Sequence, residues 1–196
     1  AVCGSKAKSL DDPAAKSVKG VKAVLRVPLD RGAEGVAVVA DGYWAAKQGR
    51  DALKVEWDDS AVEKVDTEKQ LAQYRELATK PGPRKYDADM SGLAGAAHKI
   101  NAEFVFPYLA HAPMEPLNCT VNLAGGKAEV WTGTQMPGID GLAAAKVLGV
   151  KPENVKVHVQ MPGGGFGRRG LLTSDYVAEA CSVVKAAQAA GVNAPI

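Results

Sequence analysis

The sequence predicts a mixed fold, part α+β and part α/β, and three observations predict it. Alternating apolar segments such as Val21–Val27 and Val155–Gln160 interleave with helical segments such as Asp41–Leu53 and Gly141–Leu148. Proline and glycine divide the chain, most sharply at Pro81-Gly82-Pro83. The second half reads strand, helix, strand, helix, which is the order of a parallel βαβ unit with a helix after it. A chain of 196 residues can bury one large core or two small ones.

Residues 1–60 read as a compact α+β unit. Asp12 is placed to cap a helix that has Pro13 in its first turn and Gly20 beyond its end. Val21–Val27 follows as a strand, Gly35–Ala40 as a valine-rich buried strand, and Asp41–Leu53 as a helix with Tyr43, Trp44 and Ala46 available for packing. Lys54–Trp57 alternates again and is a strand ending at Asp58-Asp59. Residues 61–100 read as a helix and a linker. Thr67 and Gln70 have capping-box spacing, and Leu71, Tyr74 and Leu77 form the apolar stripe of the helix they open. The helix ends before Pro81, and the chain is then rich in small residues to about Lys99, with one short helix at Gly92–Ala97.

Residues 101–196 form the next unit. Glu103–Phe106 is a strand, and Asn118–Leu123 and Ala128–Trp131 make a hairpin across a Gly125-Gly126 turn. Gly141–Leu148 is a helix stopped by Gly149. The strand Val155–Gln160 leads to the glycine cluster, and a helix starts near Thr173–Glu179.

Composition narrows the function. A net charge of +2 without a basic run interleaved with aromatics gives no nucleic-acid footprint. No apolar run reaches the ~20 residues of a membrane-spanning helix. Cys3, Cys119 and Cys181 are odd in number and widely spaced, so they read as buried free thiols rather than a disulfide framework. His98, His111 and His158 lack ligand-like spacing. The chain opens on Ala1 without a leader and stops at Asn193–Ile196, where a further strand is expected, so it reads as a piece of a longer protein.

The richest segment is Gly163-Gly164-Gly165-Phe166-Gly167-Arg168-Arg169-Gly170. Glycines in a strand-to-helix turn let backbone amides lie directly against a ligand, and such amides favour oxyanions. Gly165-x-Gly167-x-x-Gly170 also matches a dinucleotide fingerprint, but nothing acidic follows Glu179 to hold a ribose. Three readings stay open on these residues: an oxygen-rich cofactor, a nicotinamide dinucleotide, and a non-catalytic module that captures anions through Arg168 and Arg169.

Two other places could carry chemistry. Tyr108–Pro116 sets His111 and Glu115 among small and apolar residues. There Glu115 is either an acid or base with a raised pKa or, the preferred reading, a carboxylate bonded to backbone amides. Gln135 follows the strand ending at Trp131. Its carboxamide faces the glycine loop if the two strands are parallel neighbours.

Taken in order, Tyr108–Thr120 (YLAHAPMEPLNCT), Trp131–Pro137 (WTGTQMP), Gly163–Gly170 (GGGFGRRG) and Thr173-Ser174-Asp175 resemble the large subunit of the molybdenum hydroxylases. This is the xanthine dehydrogenase and aldehyde oxidase family, and the branch resembled is that of the isoquinoline 1-oxidoreductase beta subunit. Residues 1–60, Val36–Asp58 most clearly, resemble part of that family's α/β hammerhead domain without its first strand. The resemblance makes 101–196 the first part of a molybdopterin-binding domain.

The resemblance implies molybdenum held by molybdopterin cytosine dinucleotide, and hydroxylation of an aldehyde or N-heterocycle with oxygen from water. It implies iron–sulfur clusters in a small [2Fe-2S] partner subunit, and export to the periplasm in this branch. Carried over by motif, Gln135 hydrogen-bonds an oxo ligand, and Gly164, Gly165, Phe166, Gly167, Arg168 and Arg169 belong to the cofactor-binding loop. Arg168-Arg169-Gly170 stands where the xanthine-oxidising branch has Gly-Lys-Glu, so xanthine is not the expected substrate. The family's catalytic glutamate is expected beyond Ile196, together with most of the pterin surface in the rest of the large subunit. On that expectation this piece alone is inactive and cofactor-free.

Overall fold

The computed structural model describes residues 2–83 and 89–196. They form two compact units, one of residues 1–62 with 111–196 and one of 63–110. In the first unit β1 (Lys6–Asp11) pairs antiparallel with β4 (Lys54–Asp58), and β2 (Val21–Pro28) pairs antiparallel with β3 (Glu34–Ala40). Helix α1 (Pro13–Lys16) is a single turn, and α2 (Tyr43–Ala52) packs on β3.

Four expectations are corrected here. Strand β1 was not expected. Its alternation is weak, with only Ala7 buried, and its charged positions look like solvated loop. Asp12 precedes α1 without a side-chain capping bond, and its carboxylate pairs with Lys16 at 2.9 Å instead. Strand β3 is half-buried rather than fully buried. Tyr43 and Trp44 point outward at 80% and 65% exposure, and α2 approaches the sheet through Gly49. A Cβ on Gly49 would stand 2.9 Å from both Val21 and Val38, so the missing side chain is what lets α2 lie close.

The larger core belongs to β5 (Thr120–Ala124), β6 (Lys127–Thr132), α5 (Pro137–Leu148), β7 (Val155–Val159) and α6 (Asp175–Ala189). The sheet order is β5-β6-β7, with β5–β6 antiparallel and β6–β7 parallel. The hairpin turns on Gly125 and Gly126 at φ 56° and 72°. Two successive positive φ values suit a tight turn that matches strand twist, and glycine adopts them without a Cβ penalty. Alternate residues of β6, Ala128 and Val130, face inward beside Val121. Ala144 and Leu148 of α5, and Val177, Cys181 and Val184 of α6, meet them at helical spacing. Gly149 ends α5 in a left-handed conformation at φ 74°. The other face of β6 and β7 carries Trp131 and His158, stacked at 4.7 Å and 3° between ring planes. Ile196 exchanges both backbone hydrogen bonds with Val121 at the β5 edge. Ala187 of α6 packs against Ala23 and Val39, joining this core to the β2–β3 sheet.

In the second unit, α3 (Thr67–Ala78) buries none of its residues. Its cap is Asp66, whose carboxylate accepts from the Lys69 amide at 3.0 Å, so the capping residue sits one position earlier than the Thr67 expected. Asp66 has the extended backbone a cap needs, whereas Thr67 is already helical. The short helix α4 spans Ser91–Ala94. Residues 103–106 are unpaired rather than a strand. They run beside α3, where Arg75 bonds Glu103 and the Tyr74 and Tyr108 hydroxyls meet at 3.0 Å. A cavity of about 770 Å³ lies between α3 and residues 103–108. Residues 84–88, within the expected linker, lie outside the described residues.

No described helix is long and apolar enough to cross a membrane. Cys119 is half-buried and Cys181 buried, but Cys3 is exposed, contrary to the expectation for that thiol. Burial pushes both the Cys119 and Cys181 thiols up to about 12.

Candidate functional site

Parallel pairing of β6 and β7 brings two loops to one edge. Thr132 lies opposite Val159, and the Gln160 amide donates to the Thr132 carbonyl at 2.9 Å. Thr132–Gln135 and Gln160–Gly170 therefore leave the sheet side by side, at the carboxyl ends where ligands bind in open α/β sheets. A third segment, Pro113–Asn118, joins them. The Glu115 amide donates to the Gly163 carbonyl at 3.2 Å, and the Thr132 hydroxyl donates to the Asn118 carbonyl at 2.8 Å.

Arg169 sits at the centre of the three. It is 1% exposed. Its Nε donates to the Gly164 carbonyl at 2.8 Å, and its Nη1 to the Gly133 carbonyl at 3.2 Å. Its Nη2 reaches both the carbonyl of Glu115, at 3.1 Å, and its carboxylate, at 3.2 Å. The planar five-donor guanidinium satisfies several acceptors at once, which an ammonium of the same charge cannot do in this fork geometry. The backbone carbonyl of Arg169 accepts in turn from the Gln135 amide at 3.1 Å. The structure thus places the Arg169 guanidinium beneath the glycine loop, facing into the protein.

Arg168 is also paired. Its two Nη atoms bind Asp175 Oδ1 and Oδ2 at 2.8 and 2.7 Å, a bidentate clamp on the first turn of α6. Asp175 Oδ1 also accepts from the Tyr176 amide, so this helix start carries its own carboxylate. Both arginines face a carboxylate of this chain. The anion-capturing module, which requires free cations here, loses its basis.

Glu115 resolves in favour of the bonded carboxylate. Its Oε2 accepts from the Gly163 amide at 2.5 Å and its Oε1 from Asn118 Nδ2 at 2.8 Å. The Gly163 bond most of all, with Asn118 and the nearby Arg169 cation, holds this carboxyl below the usual range. The expected alternative, an acid or base with a raised pKa, is corrected. Only a glycine fits at 163, since a Cβ there would stand 2.7 Å from Glu115 Cβ.

The outer side of the loop is different. Gly164, Phe166 and Gly167 have φ values of 100°, 51° and 91°. Phe166 pays about 1 kcal/mol for that conformation and holds its ring 75% exposed. Among the described residues, the amides of Gly164, Gly165, Phe166 and Gly167 donate to no protein acceptor, and the Gln135 carboxamide makes no protein hydrogen bond. Gln135 lies against the loop, for a Cβ on Gly165 would approach its Oε1 to 3.1 Å. A surface of neutral donors without opposing carboxylates suits ligand oxygens. The residues fit an oxygen-bearing cofactor by this donor set, exposed on one side and rigidly backed on the other.

The dinucleotide fingerprint is not supported by the geometry. Arg168–Gly170 forms a 3-10 turn, Leu171 is extended, and α6 begins only at Asp175. A fingerprint loop requires the helix to open within the glycines, so that its amides meet the pyrophosphate.

The sequence did not single out the supports of this site. Thr134 is buried and donates to the buried Asp140 of α5, while its oxygen accepts from the Met136 amide at 3.0 Å. The Tyr176 hydroxyl donates to the Gly133 carbonyl at 2.9 Å. The one available signal was position, since Thr134 and Asp140 bracket the start of a helix. His158 bonds Glu129 at 3.0 Å on the open sheet face, and no described group of three or more His, Cys, Asp or Glu residues could hold a metal.

A family model described as the molybdopterin cofactor-binding domain matches residues 78–193. The chain is 31% identical to the isoquinoline 1-oxidoreductase subunit beta of Brevundimonas diminuta, over 94% of this chain and 24% of that protein. It is 34% identical to a membrane-bound aldehyde dehydrogenase of Gluconacetobacter polyoxogenes, whose name carries pyrroloquinoline quinone, over 93% of this chain and 24% of that protein. The chain therefore spans about a quarter of the length of these relatives. Its fold is similar to that of quinoline 2-oxidoreductase from Pseudomonas putida 86, with a TM-score of 0.62 and 18% identity, over 97% of this chain and 28% of that one.

Proposed function

Because this chain belongs to the molybdopterin cofactor-binding domain family, we propose that its three converging loops form one wall of a molybdenum–pterin site. The enzyme so served is an oxidoreductase that hydroxylates an aldehyde or N-heterocycle. One observation carries the reading. The free carboxamide of Gln135 lies beside the unpaired amides of Gly164–Gly167, at the carboxyl ends of adjacent parallel strands. When bound, the cofactor supplies the redox centre that inserts oxygen from water into a C–H bond.

The chain's own residues bind and orient. Gln135 would hold the cofactor through its carboxamide, and the amides at Gly164, Gly165, Phe166 and Gly167 would donate to its oxygens along the same rim. A preorganised set of neutral donors on the backbone would orient the group without reorganising to do so. Arg168 ties the loop to the start of α6, and Arg169 backs it from beneath. Glu115 is not the base that activates water, because its carboxylate already accepts from Gly163 and Asn118 and faces Arg169. The base belongs to another part of the enzyme. The finer assignments extend the same reading: the cytosine dinucleotide form of the cofactor, a small [2Fe-2S] subunit that takes the electrons, and a periplasmic site of action.

The test is metal and nucleotide analysis of the protein isolated from its native host. Molybdenum and cytidine nucleotide in equal amounts, both lost in Gln135→Ala with Gly167→Val, are the expected result. Protein that carries no molybdenum, or carries pyrroloquinoline quinone in its place, overturns the reading. Saturable NADP binding in its place would favour a nicotinamide enzyme.

A further inference from the structure

We propose that Glu115 and Arg169 are positioning residues that set the conformation of the glycine loop, and with it the capacity to hold the cofactor. This rests on the function proposed above. The three sequence motifs that meet at the site are far apart in the chain, yet each donates or accepts at this one pair. The Gly163 amide and carbonyl both bond to Glu115, through its carboxylate and its amide. Arg169 binds Glu115 twice and also takes the carbonyls of Gly133 and Gly164. The loop between Gly163 and Arg169 is thus fixed at both ends by one ion pair; between them Gly164, Phe166 and Gly167 hold left-handed conformations, braced within the loop only by the Arg168 amide on the Gly165 carbonyl and the Gly170 amide on the Gly167 carbonyl.

The charge state follows from the same contacts. A buried guanidinium without its carboxylate is an uncompensated cation, so Glu115 holds Arg169 as much as Arg169 holds Glu115. Turning the Gly164 carbonyl toward Arg169 and the Gly163 carbonyl toward the Glu115 amide fixes those two peptide planes, and in a trans peptide this directs the Gly165 and Gly164 amides away from the pair. Loss of either partner frees those planes to rotate without removing any side chain from the loop's outer surface.

The test compares Glu115→Gln and Arg169→Lys with the native protein, as the whole subunit purified from its host. Two readouts are taken: hydrogen exchange resolved by segment, and molybdenum content. Glu115→Gln keeps an acceptor for Gly163 but removes the charge, and Arg169→Lys keeps the charge but removes the fork. In both, exchange at the Gly163 and Glu115 amides, the two that this contact protects, is expected to speed about tenfold, the equivalent of one lost hydrogen bond. Exchange in β6 and α6 should speed by clearly less than this, and molybdenum content should fall several-fold. Equal acceleration in the core would make the pair a general scaffold and overturn the proposal. So would unchanged exchange at Gly163 and Glu115, or a loosened loop with full molybdenum content. Native protein without molybdenum would instead remove the functional reading and the cofactor role with it, while the exchange pattern would still decide whether the pair fixes the loop.

Discussion

The sheet under the glycine loop and residues 63–110 handle their apolar side chains in opposite ways. Val121, Val130, Val177, Cys181 and Val184 are fully buried between β5–β6 and α6. In 63–110, Phe104, Phe106, Tyr108 and Leu109 are all more than three-quarters exposed, and α3 buries none of its stripe. Both regions have good local signals: helical periodicity, a residue that starts or stops a helix, and strand-like alternation. Among the described residues, only the first buries them against partners. Local pattern decides what an element is, whereas burial is decided by what is brought against it, and most stability comes from the latter.

The largest test of that contrast sets two arginine–glutamate pairs against each other. Arg169→Ala removes a buried cation, leaves the carbonyls of Gly164 and Glu115 without their donor, and should cost about 3–5 kcal/mol in denaturant titrations. Arg75→Ala breaks an exposed pair with Glu103 and should cost under about 1 kcal/mol. Equal losses would abolish the distinction. Next, Val177→Ala opens a space in the filled core and should cost about 2 kcal/mol, while Phe106→Ala should stay within about 0.5 kcal/mol. Gly133→Ala comes third at about 1–3 kcal/mol, since its Cβ would lie 2.8 Å from Pro162 Cβ.

The smallest effect concerns acid. The carboxyl of Glu115 is held below its ordinary value, so its stabilising contribution is complete above that value, near 4.5, and is lost as pH falls through the lower folded one. The stability curve of Glu115→Gln should lie below that of the native protein at neutral pH and approach it in acid. Curves that stay parallel would show that the carboxylate's charge contributes nothing. A chemical control accompanies these measurements. At pH 8 iodoacetamide should modify the exposed Cys3 and spare Cys119 and Cys181, whose thiols are pushed up to about 12.

Much of the larger core was legible in the sequence because its signals are local. Gly125-Gly126 dictates the hairpin, Gly149 stops α5, and the Val155–Val159 alternation gives the strand that pairs in parallel with β6. Parallel pairing in turn makes Gln135 and the glycine loop neighbours, an inference available from element order alone. What could not be read was direction. Arg168 and Arg169 are adjacent and chemically identical, yet one clamps α6 and the other lies beneath three loops. That difference is set by carbonyls from Gly133 and Glu115, residues remote in sequence. The same holds for residues 103–106, whose alternation is strand-like but which have no ladder to join. Asp66 took the cap from Thr67 because either residue can serve, and the backbone conformation chooses.

The stacking of His158 on Trp131 has an optical consequence. An imidazole lying flat on an indole is placed to quench its emission, so His158→Ala should brighten Trp131. Trp44 and Trp57 have no such neighbour among the described residues, so the change can be assigned to the two strands from which the site's loops depart. The protein therefore carries its own light-emitting gauge, a few residues from Gln135, readable without any attached dye.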